Sequence, residues 1–105
     1  AAGLRTFIIK PQLGDSLTWA RAHHDSPYGR IASSWRRKGN RLDLNLVVPP
    51  NTRAIVHVPA TEGVPVTESG RAAAQAPACR LLGREDGRMM FEIGSGAYEF
   101  SSSLR

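Results

Sequence analysis

Apolar and polar positions alternate along most of this chain. The pattern is cleanest from Arg41 to Val48, where Leu42, Leu44, Leu46 and Val48 oppose Arg41, Asp43 and Asn45. A period of two marks a strand with one buried face. The same period predicts strands over Leu4–Lys10, Ser16–His23, Arg30–Lys38 and Arg53–Val58. In the second of these, Leu17, Trp19 and Arg21 share one face and Thr18, Ala20 and Ala22 the other. Ile31, Ser33 and Trp35 oppose Ala32, Ser34 and Arg36 in the third, and Ala54, Val56 and Val58 share a face in the last.

Turn chemistry separates these segments. Pro11 with Leu13-Gly14-Asp15, Asp25-Ser26-Pro27-Tyr28-Gly29, Lys38-Gly39-Asn40 and Pro49-Pro50-Asn51-Thr52 each supply residues that reverse a chain or end a ladder. From Ala60 to Pro77 the pattern weakens. Val64–Thr67 reads as a short strand, Arg71–Ala76 as either one helical turn or a loop limited by Pro77, and Cys79–Leu82 as a strand before Gly83. Arg88–Ile93, a Gly94-Ser95-Gly96 turn and Ala97–Ser101 follow. Phe91 and Ile93 alternate on one arm and Tyr98 and Phe100 on the other, which predicts a closing hairpin. Helix periodicity is poor throughout. The expected fold is all-β, an antiparallel β-sandwich of about seven to nine short strands.

Length and composition narrow the function. A chain of 105 residues makes one domain, residues 1–105, with one core; a deep pocket would have to be cut from that core, which favours a surface-presenting module over a cavity enzyme. The net charge of +5 and a pI near 10.4 raise nucleic acid as a partner. The arginines are mostly scattered, however, and only Arg36-Arg37-Lys38 with Arg41 forms a cluster. A nucleic-acid footprint needs basic residues gathered on one face, so a solvated basic surface is expected and no nucleic-acid partner. No apolar run approaches the roughly 20 residues of a membrane helix, and the start AAGLRTF is not a signal peptide. Membrane association is not expected, and the compartment, cytoplasmic or secreted, depends on any missing N-terminal part. The single cysteine, Cys79, permits no internal disulfide and is expected buried as a small apolar group.

Candidate chemistry is sparse. His23 and His24 are strand neighbours and point to opposite faces, and His57 is the only other histidine, so no metal site is expected. His24, Asp25 and Ser26 are consecutive and cannot build a relay; a strand end capped by an Asx-type turn is the better account. Glu62, Glu68, Glu85, Asp86, Glu92 and Glu99 are available carboxylates. Glu85-Asp86 precedes Gly87 in a turn, and Glu92 and Glu99 alternate with core positions and should face solvent. Nothing separates an acid from a base, so no catalytic residue is expected. Gly94-Ser95-Gly96 lacks the helix and lysine of a phosphate loop. Among the aromatics, core packing is expected for Trp35, Tyr98 and most others. Trp19 and Tyr28 remain open, as contacts to a neighbouring domain or to sugar. No cofactor is implied.

Read in order, several pieces resemble the C-terminal β-sandwich domain of bacterial α-L-rhamnosidases. They are Ile9-Lys10-Pro11-Gln12, Leu17-Thr18-Trp19-Ala20, Ser26-Pro27-Tyr28-Gly29-Arg30-Ile31 leading to Ser34-Trp35, and Val48-Pro49-Pro50-Asn51-Thr52 before Ala54-Ile55-Val56 and Val58-Pro59-Ala60. Val66-Thr67-Glu68-Ser69-Gly70 and Phe91 to Phe100 complete them. Arg71–Leu82 is the least family-like stretch. The resemblance implies that the chain is the C-terminal fragment of a larger glycosidase, an inverting enzyme releasing terminal α-L-rhamnose, whose catalytic (α/α)6 barrel is absent here. No family catalytic residue maps onto this sequence. The implied role is an accessory domain that packs on and stabilises that barrel, its partner in the same parent chain. The alternative is an independent carbohydrate-binding module, with rhamnose-containing glycans as partners.

Overall fold

A computed structural model describes residues 5–14 and 18–104. Among them the chain forms ten strands: β1 Arg5–Ile9, β2 Trp19–Ser26, β3 Gly29–Lys38, β4 Arg41–Val48, β5 Thr52–Pro59, β6 Thr67–Glu68, β7 Arg71–Ala72, β8 Cys79–Glu85, β9 Arg88–Ile93 and β10 Gly96–Ser103. They make a four-stranded sheet in the order β1-β5-β9-β8 and a six-stranded sheet in the order β2-β3-β4-β10-β6-β7. The expected all-β sandwich is therefore found, with β7 the one strand that the sequence did not predict. One pairing departs from it: β1 runs parallel to β5, from Arg5 opposite Thr52 to Ile9 opposite Val56. All other pairs are antiparallel.

The turns follow from local chemistry. Gly39, at φ 61, opens the two-residue β3–β4 turn and suits a type II′ geometry. Ser69-Gly70 and Asp86-Gly87 have positive φ at both positions, the type I′ condition that matches strand twist. Between β2 and β3 only Pro27 and Tyr28 lie outside the strands. The turn is thus shorter than Asp25–Gly29, and β2 runs on through His24 and Asp25 because both keep cross-strand partners, Ile31 and Arg30. The expected start of that strand at Ser16-Leu17 lies outside the described residues.

Side chains from both inner faces fill the core. Ile31, Trp35, Leu42, Leu44, Leu46, Val48, Tyr98 and Phe100 come from one sheet, and Ile9, Ala54, Val56, Val58, Cys79, Phe91 and Ile93 from the other. The expected alternation in β4 holds residue by residue.

The closing hairpin is not formed. β9 and β10 lie in different sheets, because the places beside β9 are taken by β5 and β8 and those beside β10 by β4 and β6. Gly94 and Ser95 therefore carry the chain across the sandwich. Smaller corrections concern the middle of the chain. The predicted strand at Val64–Thr67 is limited to Thr67–Glu68. Residues 71–76 supply the two-residue β7 and then a 3₁₀ turn, Ala73–Gln75. β8 continues past Leu82 to Glu85, with Leu82 the extra residue of a bulge between Leu81 and Gly83.

Candidate functional site

The outer face of the six-stranded sheet is ordered in rows set by strand register. Trp19, Arg36, Asp43 and Ser101 stand opposite one another across β2, β3, β4 and β10; the next row is Arg21, Ser34, Asn45 and Glu99; a third is His23, Ala32, Val47 and Ala97. The first two rows floor a depression of about 570 Å³ lined by Trp19, Arg21, Ser34, Arg36, Asp43 and Asn45. A second, of about 380 Å³, continues from it over His23, Ala32 and Val47 and shares Arg21, Ser34 and Asn45. Trp19 is 59% exposed, and the Arg21 guanidinium lies over its ring at 5.9 Å from the centroid.

Asp43 is the best-held charge on this face. Its Oδ1 accepts hydrogen bonds from Arg41 Nε at 3.0 Å and from Ser101 Oγ at 2.7 Å. Burial alone would raise its pKa, but the Ser101 hydroxyl and the Arg41 and Arg36 charges outweigh it and hold the carboxyl below its ordinary value. The alternation between Leu42 and Leu44 places Asp43 outside; its partner Ser101, from a distant strand, has no signal in the sequence.

Tyr28 lies elsewhere. The Ser26 hydroxyl donates to the Gly29 carbonyl at 2.7 Å and accepts from the Tyr28 N–H at 3.2 Å, so Ser26, and not Asp25, caps this turn. Asp25 instead pairs with Arg30 Nε at 3.1 Å. Trp19 and Ser26 sit at opposite ends of β2, about 23 Å apart at 3.3 Å per residue. Trp19 and Tyr28 are therefore not brought together and cannot share one stacking platform.

The remaining polar groups are dispersed. His23 lies on the outer face, whereas His24 lines a separate depression with Lys10, Gln12 and Ala22. No group of three or more His, Cys, Asp or Glu among the described residues is placed to hold a metal. Glu92 sits between Arg53 and Arg80, at 4.0 and 3.6 Å. Glu68 is buried, a position the sequence reading missed; it accepts from the Ser69 hydroxyl at 2.5 Å and from the Glu99 N–H at 3.1 Å. Cys79 is buried as expected, and burial, with the Glu68 charge adding, pushes its pKa up to about 11.

These features define a β-sandwich domain with one aromatic and basic trough on its larger sheet. The family model for the bacterial alpha-L-rhamnosidase C-terminal domain matches residues 1–73, and the chain belongs to that family. The match stops inside the stretch that resembles the family least. Two longer alignments extend over nearly the whole chain. An alpha-L-rhamnosidase of Streptomyces avermitilis is 34% identical over 95% of the chain, and one of Formosa agariphila 32% identical over 96%. The chain spans only 9% and 11% of those proteins. Among solved structures, the Streptomyces avermitilis alpha-L-rhamnosidase complexed with L-rhamnose superimposes with a TM-score of 0.77 at 31% identity, over 91% of this chain and 9% of that one. The alpha-L-rhamnosidase from Dictyoglumus thermophilum gives 0.77 at 25% identity, over 91% and 11%.

Proposed function

We propose that this chain is the non-catalytic C-terminal accessory domain of an inverting α-L-rhamnosidase, packing on and stabilising a catalytic (α/α)6 barrel in the same parent chain. The observation that carries this reading is the asymmetry of coverage: nearly all of the chain aligns with about a tenth of each relative. The dispersal of the carboxylates supports it. Asp43, Glu68 and Glu92 are each engaged by their own hydrogen-bond or ion-pair partners, and among the described residues no second carboxylate shares those partners to divide acid and base roles.

The outer face of the four-stranded sheet offers the docking surface. Ile8 stands directly opposite Ile55 there and is 63% exposed, with Met90 diagonal to Ile55 across β9. Ile8, Ile55 and Met90 together make the apolar part of this face, which supports it as a contact to a neighbouring domain. Removing this domain from a full-length parent enzyme should lower soluble yield and melting temperature, and Ile8→Glu should reproduce part of that loss. A truncated enzyme of equal stability and activity would overturn the reading.

One observation favours the second reading, an independent carbohydrate-binding module: the exposed Trp19 at the lip of a depression. Saturable binding of rhamnose or a rhamnose-containing glycan by the chain alone would favour the module over the scaffold.

A further inference from the structure

The geometry points to an acidic-saccharide site on the outer face of the six-stranded sheet, with Trp19 under a sugar ring and Arg21 and Arg36 flanking its carboxylate. The inference rests on the reading that the chain is part of a saccharide-processing enzyme, and adds a ligand class to a face which that reading leaves unassigned.

Three observations carry it. The first is placement. Trp19 lies directly opposite Arg36 and two residues before Arg21 on the same strand face, so both guanidiniums stand within reach of whatever covers the indole. The second is charge. Arg30 is paired with Asp25 and Arg41 with Asp43, whereas among the described residues neither Arg21 nor Arg36 forms an ion pair. Arg36 stands directly opposite Asp43 and its charge acts on that carboxylate, but the hydrogen bonds of that carboxylate go to Arg41 and Ser101. The remaining carboxylate of these rows, Glu99, is three strands from Arg21, roughly 14 Å at strand spacing and beyond a Debye length of about 8 Å. Against the one carboxylate of its lining, Asp43, whose hydrogen bonds go to Arg41 and Ser101, the trough presents two exposed planar cations, a fit for a carboxylate that each can bind in a fork.

The third is the mixture of surfaces. The Arg21 guanidinium lies over one face of the Trp19 ring and keeps its N–H edges open, so a sugar ring would pack on the part of the exposed indole that Arg21 leaves uncovered. Ser34 and Asn45 on the trough floor provide hydroxyl and amide groups for ring hydroxyls, and Asp43 provides acceptor lone pairs. Beyond them Ala32 and Val47 give an apolar floor for a following ring. A neutral sugar would leave Arg21 without a counter-charge among the described residues, and Arg36 with only the Asp43 carboxylate it shares with Arg41. A nucleic-acid strand would call for a longer basic track with several stacking rings, whereas the two depressions hold one exposed aromatic among the described residues, Trp19, with Trp35 buried beside it.

The test is a fluorescence titration of the chain with a short oligogalacturonate. Its fully methyl-esterified form, L-rhamnose and polyglutamate serve as comparisons. Saturable change in the Trp19 signal is expected with the free acid, identified as Trp19 by its loss in Trp19→Phe, because Trp35 is buried. The double variant Arg21→Gln/Arg36→Gln should weaken binding by about tenfold or more, the scale of losing charge-assisted pairs, with an unchanged melting temperature since both side chains are exposed. No saturable signal, equal affinity for the methyl ester or for polyglutamate, or indifference to the double variant would each overturn the site. Such a failure leaves the packing reading intact, because Ile8 and Trp19 lie on different sheets; destabilisation on truncating the parent tests that reading separately.

Discussion

Phe91 and Phe100 meet across the core, ring centroids 5.5 Å apart and planes tilted by 33°, although their strands share no hydrogen bond. Each belongs to a different sheet, Phe91 between Val56 and Leu81, Phe100 between Leu44 and Glu68. Both are fully buried, so Phe91→Ala and Phe100→Ala should each destabilise by about 3–5 kcal/mol in urea denaturation. A double-mutant cycle should return a coupling of about 0.5–1.5 kcal/mol. Strict additivity would show that the two rings do not support one another.

Gly29 is the next pressure point. Its φ of 133 lies in a region that side chains rarely adopt, and an added Cβ would approach Pro49 Cβ to 3.0 Å. Gly29→Ala should cost about 1–3 kcal/mol. Gly63, also at positive φ but with open space around it, provides the comparison; Gly63→Ala should cost less. Equal losses would mean that backbone angle alone, without the Pro49 contact, sets the penalty.

Stability should fall on acidification in two separate windows. Burial, then the Lys10 and Arg88 charges, lower the pKa of His57, with Glu85 opposing them. The unfolded chain then takes up a proton near pH 6.5 that the folded one refuses, so stability declines as pH drops through that value and levels off below the folded pKa. Asp43 acts lower. Its depressed pKa stabilises the fold above the ordinary 3.8 and loses that contribution as pH falls through the folded value. His57→Gln should flatten the first decline and Asp43→Asn the second, read from urea midpoints across a pH series. A profile unchanged by both substitutions would contradict these assignments.

Cys79 should be chemically silent while the protein is folded. Burial and a pKa of about 11 leave almost no exposed thiolate at neutral pH. Labelling with a thiol reagent should be slow in native buffer and become rapid through the urea transition. Native-state labelling at the rate of a free thiol would show that the end of β8 opens independently of the core.

Much of this was legible in the sequence because it is local. The leucines of β4 alternate, and any sheet that buries one face of that strand must bury those four positions. Gly39 and Asp86-Gly87 specify turns through their own backbone preferences. Trp19 and Tyr28 could be marked as aromatics without an assured place in the core, and both are exposed, Tyr28 by 39%. Their separation along β2 could not be read until the strand's far end was known to run to Ser26. Glu68 looked like any other carboxylate. Its burial depends on the Glu99 amide reaching it from β10.

By itself, then, the sequence determined most of the strands and of their inward faces, several of the turns and the family, because period-two burial and turn angles are properties of a few adjacent residues. Tertiary structure alone decided the partners. Gly94-Ser95-Gly96 has the composition of a hairpin turn, yet β9 and β10 part there because each finds neighbours in a different sheet. The parallel β1–β5 pair, the Ser101 bond to Asp43 and the trough around Trp19 arise the same way. Each depends on which distant strand lies alongside, a choice made by burying two whole faces at once.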